Sequence, residues 1–323
     1  MRICIYGAGA IGGLLGARLA KAGEDVTLIA RGPHLAAMQA KGLSLTDATG
    51  TFTVGVRAFE RPEDAGEQDF VIVALKAHSV PAIASRIPTL FGPQTAVIMA
   101  VNGVPWWYFH GVAGPYAGRR LRSVDAEGLQ WTHIGPERVL GCVVYPAAEI
   151  TEPGHIRHIE GDRFSLGEPD GTKSDRVRAL SAALIAAGFK APVKTDIRSE
   201  IWVKVWGNAV FNPISALTGA TLQAICTDPE TADFAKAAMQ EVEEVAKALG
   251  VTMPVSLEKR FAGAQAVGEH KTSMLRDIEN GRPLELDALV GSVVELAEIT
   301  GTPVPLLKGL HALTKLRSQL SHR

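Results

Sequence analysis

The chain has 323 residues, 33 basic against 34 acidic, for a formal net charge of -1, and that length accommodates two domains that each bury a core. No run of like charge stands out, so neither a nucleic-acid interface nor an anionic membrane surface has electrostatic support. Three cysteines, Cys4, Cys142 and Cys226, are widely separated and show no CxxC spacing, which fits small buried hydrophobes in a reducing compartment and not a disulfide framework.

The opening run MRICIYGAGAIGGLLGARLA has an apolar middle, but five glycines interrupt it and the amphipathic helix it opens continues into Lys21 without a cleavage region. No stretch of 18 or more apolar residues appears elsewhere. The expectation is a cytoplasmic protein. From that start, apolar runs alternate with helical patterns: RICIYG with IGGLLGARLAKAG, DVTLIA with PHLAAMQAKG, DFVIVALK with SVPAIASRI, then TAVIMAVNG. Strands that alternate with amphipathic helices predict a parallel sheet covered on both faces, the doubly wound α/β class.

Gly7, Gly9 and Gly12 follow the first predicted strand and open the first predicted helix, as a G-x-G-x-x-G fingerprint requires. Gly7 permits the tight turn, Gly9 lets the backbone approach a pyrophosphate, and Gly12 allows close helix packing. The run Gly7, Ala8, Gly9, Ala10, Ile11, Gly12 is therefore read as a dinucleotide site on a helix N-terminus. At the end of the second strand, where an NAD enzyme usually carries a carboxylate for the ribose hydroxyl, this chain has Arg31 with no carboxylate beside it. A guanidinium there suits the 2′-phosphate of NADPH; the alternative is an exposed surface arginine. Lys76 and Asn102 end two further strands, on the edge where open α/β sheets bind ligands. Each also has a plain reading, as a strand-end lysine and a turn asparagine.

After residue 140 the segments RVLGCVVYPAAEI, PGHIRHIEG and DRFSLGE read as strands around turns, expected as an antiparallel extension of the sheet. His155 and His158, three apart, would face opposite sides of a strand, so no metal pair is expected. From about Ile197 the pattern is helical, with apolar residues at spacing three and four and glycines at segment ends. The boundary falls near residue 195. Residues 1–195 make a Rossmann-like doubly wound domain for NADP, and 196–323 an all-helical substrate and catalytic domain.

The helix KVWGNAVFNPISALTG carries Lys204, Asn208 and Asn212 at spacing four, one narrow polar line between Val203, Val205, Trp206, Val210 and Phe211. That line is too thin for a solvated face. Two amides in mid-helix also weigh against an incidental lysine that snorkels to solvent. With SMLRDIENGRPLELD, which sets Glu285 twelve residues after Ser273, these motifs make the chain resemble the ketopantoate reductase family over essentially its whole length.

The resemblance implies reduction of the 2-oxo carbon of 2-dehydropantoate by NADPH to give (R)-pantoate for pantothenate biosynthesis. Residue by residue, it implies that Lys204 is the catalytic lysine and general acid and that Asn208 and Asn212 are substrate-binding amides. Ser273 would hold the carboxylate end, Glu285 would reach the cofactor and the active-site network, and Asn102 would lie between nicotinamide and substrate. Lys76 is carried over as a cofactor contact and Ala147 as a backbone contact to the cofactor. A ketone oxygen gains negative charge as hydride arrives, and an ammonium stabilises it and donates the proton.

Leu222 stands where many members have a further asparagine, and Tyr145 and Pro146 replace residues that are commonly polar or small. Trp106, Trp107, Tyr108 and Phe109 are either a core plug or a cover over the substrate. A different branched or aromatic 2-oxo acid is the alternative substrate, and a non-catalytic NADPH-binding regulator is the rival class. Amphipathic helices in the second half serve equally to close a monomer's core or to form a homodimer.

Overall fold

Parallel strands buried on both faces need near-continuous apolar runs, and ICIY, VTLI, FVIV and AVIM form the middle of the main sheet in a computed structural model that describes residues 1–321. The strands are β1 (Arg2–Tyr6), β2 (Asp25–Ile29), β3 (Leu43–Asp47), β4 (Gly50–Val54), β5 (Arg57–Phe59), β6 (Gln68–Val73) and β7 (Phe91–Met99). They continue with β8 (Val139–Val144), β9 (Ala147–Glu152), β10 (His155–Glu160) and β11 (Phe164–Gly167). Contacts divide the chain into two compact units. The first comprises 1–101, 107–120 and 127–197; the second comprises 102–106, 121–126 and 198–323.

In the first unit a seven-stranded sheet has the order β11-β8-β7-β6-β1-β2-β5. Its pairs are parallel except β11 with β8. The doubly wound Rossmann-like reading is borne out, with β1 in the interior of the sheet. The expected antiparallel extension is only partly correct. β8 and β11 do extend the sheet, whereas β9 and β10 join β3 and β4 in a separate four-stranded sheet, order β4-β3-β10-β9. Period-two alternation predicts strands but not their partners; β10 pairs parallel with β3, more than a hundred residues earlier.

The helix Ala10–Lys21 packs against both sheets, and its glycines make that possible. A Cβ on Gly13 would stand 2.7 Å from Ile156 of β10, and one on Gly16 would stand 2.7 Å from Leu28 of β2. Arg18 of the same helix bonds Asp47 of β3 at 3.0 Å and His158 of β10 at 3.2 Å. His155 instead meets Thr46 at 2.7 Å, so the two histidines have separate structural partners. The expected helix in SVPAIASRI winds as 3-10 turns over Pro81–Leu90, where Pro81 and Pro88 remove amide donors.

The second unit is helical: Ile197–Thr218, Leu222–Thr227, Pro229–Ala248, Leu257–Gln265, Ser273–Glu279, Ser292–Thr300 and Pro305–Ser321, with a π-helical turn at Asp287–Gly291. Its starts are capped by side chains, Thr221 on Ala224, Asp228 on Thr231, Ser256 on Lys259 and Thr272 on Leu275. Among the described residues no helix is long and apolar enough to cross a membrane. All three cysteines are free and buried, and burial pushes the Cys4 thiol up to about 12.

Candidate active site

In the first unit the glycine turn is built by close backbone packing at the end of β1. The Gly7 and Ala8 N–H groups both donate to the Ile29 carbonyl, at 3.0 and 3.1 Å, which ties the turn to the end of β2. Gly7 has a φ of 104°, and a Cβ on Gly12 would collide with the Gly7 carbonyl oxygen. These two glycines are required by the protein's own packing. Gly9 is different, because nothing lies within 4 Å of the place its Cβ would take. Gly9, Ala10 and Ile11 are half-exposed at the helix start, and first-turn N–H groups have no intrahelical acceptors. That combination fits the pyrophosphate of a dinucleotide.

Arg31 is exposed two residues past Ile29, so the same carbonyl that anchors the glycine turn sets it nearby. The sequence places no carboxylate beside Arg31, and Glu63 shares with it only an electrostatic influence on Tyr6. Tyr6, whose hydroxyl is raised chiefly by burial, lies within electrostatic reach of Arg86, Glu63 and Arg31. Glu63 is occupied by Arg86 through two bonds of 3.0 and 2.8 Å, and Arg86 holds its carboxyl down at about 2. Its charge is compensated by Arg86. Lys76 is half-buried two residues beyond Ala74, whose N–H bonds the Tyr6 carbonyl at 2.9 Å. Ala147 begins β9 in the smaller sheet, half-buried.

His34 escaped the sequence reading. Its Nδ1 accepts the Gly154 N–H at 2.9 Å, and burial lowers its pKa, with the Ala8 backbone opposing that shift. It thereby ties its helix to the loop before β10. An isolated histidine in a helix gives no sequence signal for such a link.

In the second unit the polar line lies on the helix Ile197–Thr218, with Lys204 and Asn208 half-buried and Asn212 buried. The Lys204 ammonium donates to Asn102 Oδ1 at 2.6 Å. Asn102 therefore meets the lysine across a hundred residues of sequence. A small apolar cluster joins Ala216, Met274, Leu286, Leu289 and Val290. Met274 follows Ser273, Leu286 follows Glu285, and Ala216 lies one turn beyond Asn212, so the cluster docks three elements that carry candidate residues. Glu285 is buried at 6% exposure. Ser273 is exposed at the first position of its helix. Leu222 is half-buried and donates its N–H to the His270 carbonyl.

Arg260 also went unread in the sequence. A Cβ on Gly207 would collide with its guanidinium, which bonds the Val203 carbonyl at 3.4 Å. The glycine beside Asn208 makes room for a cation next to the polar line. Trp106, Trp107, Tyr108 and Phe109 are all at most 3% exposed. Trp107 packs over Gly141 and Tyr108 meets Phe109 edge-on at 5.0 Å, as core residues do.

Family models for "Ketopantoate reductase PanE/ApbA" and its C-terminal region match residues 3–171 and 196–318. The chain belongs to the ketopantoate reductase family. A 2-dehydropantoate 2-reductase from Mesorhizobium japonicum is 52% identical over 316 residues, 98% of this chain and 97% of that protein. A crystal structure from Ralstonia solanacearum MolK2, assigned as a ketopantoate reductase, superposes with a TM-score of 0.94 at 45% identity, covering 99% of this chain and 98% of that one. The ternary structure of D-mandelate dehydrogenase with NADH and anilino(oxo)acetate shares the fold, with a TM-score of 0.85 at 19% identity and full coverage of both chains. The resemblance read from the glycine fingerprint, the polar line and the Ser273 to Glu285 stretch is thus correct at the level of the family.

Proposed function

We propose that this chain is a cytoplasmic NADPH-dependent 2-dehydropantoate 2-reductase that forms (R)-pantoate for pantothenate biosynthesis, with Lys204 as the general acid. The observation that carries the reading is the Lys204 ammonium, on an otherwise apolar helix, held at 2.6 Å by Asn102 Oδ1. An ammonium oriented by a neutral amide keeps its charge and its remaining N–H donors for a substrate. NADPH, when bound, supplies the hydride.

In this reading the N–H groups of Gly9 to Gly12 hold the pyrophosphate, Arg31 holds the 2′-phosphate, and Lys76 and the Ala147 backbone complete the cofactor contacts. Asn208 and Asn212 orient the 2-oxo acid without adding charge, and the Ser273 hydroxyl binds its carboxylate end. Lys204 stabilises the growing charge on the ketone oxygen and delivers a proton to it, so the carbonyl π pair becomes the O–H bond of the alcohol. Glu285 belongs to the same network, on the buried helix start that follows Ser273. The first unit serves the cofactor and the helical one the substrate.

The test is NADPH oxidation by the purified protein against a panel of 2-oxo acids. Ketopantoate is expected to give the highest kcat/KM. A flat response to ketopantoate with turnover of a branched or aromatic acid would replace the substrate, consistent with Leu222 in place of an amide. Tight NADPH binding with no turnover of any acid would instead support a regulator.

A further inference from the structure

We propose that the π-helical turn Asp287–Gly291 is a positioning device for Lys204, acting through Ala288, Gly103 and Asn102. The inference rests on the reading of Lys204 as the proton donor and goes beyond it by naming what fixes that lysine. In an α-helical register the Ser292 N–H would bond the Ala288 carbonyl; here it bonds Asp287 instead. The Ala288 carbonyl accepts two other donors, the Val104 N–H at 3.1 Å and the Ser292 hydroxyl at 2.7 Å. The extra residue in the turn has redirected one backbone acceptor to a distant segment.

That segment is the one that carries Asn102. Gly103 has a φ of 97°, and a Cβ there would collide with the Ala288 carbonyl oxygen. Only glycine satisfies both the left-handed backbone and the close approach. The next residue back is Asn102, whose Oδ1 receives the Lys204 ammonium at 2.6 Å. The helix that begins at the turn is pinned again, where Glu295 accepts the N–H groups of Arg122 and Ser123, each at 2.8 Å. Glu285 lies just before the π turn and is buried. One bulged helix thus sets Glu285 and, through a single carbonyl, the amide that aims Lys204. In regular α-helix the same carbonyl would already hold the Ser292 N–H as its backbone partner.

The experiment compares Gly103→Ala and Ser292→Ala with wild type in steady-state kinetics, NADPH calorimetry and thermal unfolding. Gly103→Ala is expected to lower kcat by about 10²-fold through displacement of Asn102, while NADPH affinity changes little. Ser292→Ala removes one of two donors to the carbonyl and is expected to lower kcat by about 2- to 10-fold, the equivalent of one neutral hydrogen bond, with the unfolding midpoint nearly kept. A folded Gly103→Ala enzyme with wild-type kcat overturns the proposal. If Gly103→Ala does not fold, Ser292→Ala decides, and an unchanged kcat overturns it. Lys204→Ala run alongside separates the two readings. If that variant keeps full turnover, the assignment of the proton donor fails; if it loses turnover while the other two do not, only the positioning role fails.

Discussion

The glycine turn of the first unit and the Lys204 line of the second are built in opposite ways. The turn uses backbone: consecutive residues, no charged side chain and a fixed geometry set by the bonds of Gly7 and Ala8 to one carbonyl of β2. The line uses side chains on a rigid helix, and its orientation depends on Asn102, about a hundred residues away in sequence. Backbone N–H groups suit an anion that every dinucleotide shares, whereas an aimed ammonium suits one reacting oxygen. The difference teaches where mutations should separate binding from turnover.

The largest effect expected is on the side-chain half. Lys204→Ala should lose turnover by about 10²- to 10⁴-fold, since an ammonium near the ketone oxygen interacts more strongly with the transition state than with the ground state. Calorimetry should show NADPH still bound. Full turnover in this variant would make the polar line a structural feature. Beside the glycine turn, Arg31→Ala should weaken NADPH by about 1.5 to 3 kcal/mol, or roughly 10- to 100-fold, and leave the KM for NADH nearly unchanged. Equal losses for both cofactors would assign Arg31 to the fold.

The glycines of the turn sharpen the comparison because only some answer to internal packing. Gly12→Ala forces an overpacked contact with the Gly7 carbonyl and should destabilise the protein by about 1 to 3 kcal/mol in denaturant unfolding. Gly9→Ala meets no protein atom, so its unfolding midpoint should stay put while NADPH affinity falls; a drop in stability instead would show that Gly9 is structural. A smaller change is expected at Ser273→Ala, which should raise the KM for the 2-oxo acid by the worth of a hydrogen bond, about 0.5 to 1.5 kcal/mol, without moving NADPH binding.

The smallest effect is a pH dependence at His34. Burial depresses its pKa, so the folded state binds fewer protons than the unfolded chain near and below the ordinary histidine value of about 6.5. Its contribution to stability is complete above that value and declines as pH falls toward the folded pKa. A His34→Gln variant should show a flatter stability profile over that window, measured by unfolding at a series of pH values. A profile of wild-type slope would show that His34 contributes nothing to the pH dependence of folding.

Much of this molecule was legible in sequence because its signals are local. The fingerprint occupies consecutive residues, Arg31 follows the next strand, and Lys204, Asn208 and Asn212 share one helix face, so spacing alone reveals them. Periodicity likewise located the helical half and the strands of the main sheet other than β5, together with β9 and β10, but the short, half-polar β3, β4 and β5 fell outside every predicted segment. What spacing cannot carry is long-range pairing. Only the tertiary structure put β9 and β10 in a second sheet against β3, which is why Gly13, whose Cβ would run into Ile156 of β10, is a glycine for packing. It also paired Glu63 with Arg86, laid Arg260 across Gly207, and buried all four aromatics from Trp106 to Phe109. The same holds for the π turn, where a register change of one residue redirects the Ala288 carbonyl to Val104. The sequence determined which groups are present and which share a helix face or strand end, since those follow from chain geometry. Which carbonyl, carboxylate or ring meets each group was decided by packing, since the free energy of such contacts depends on elements far apart in sequence closing on one another.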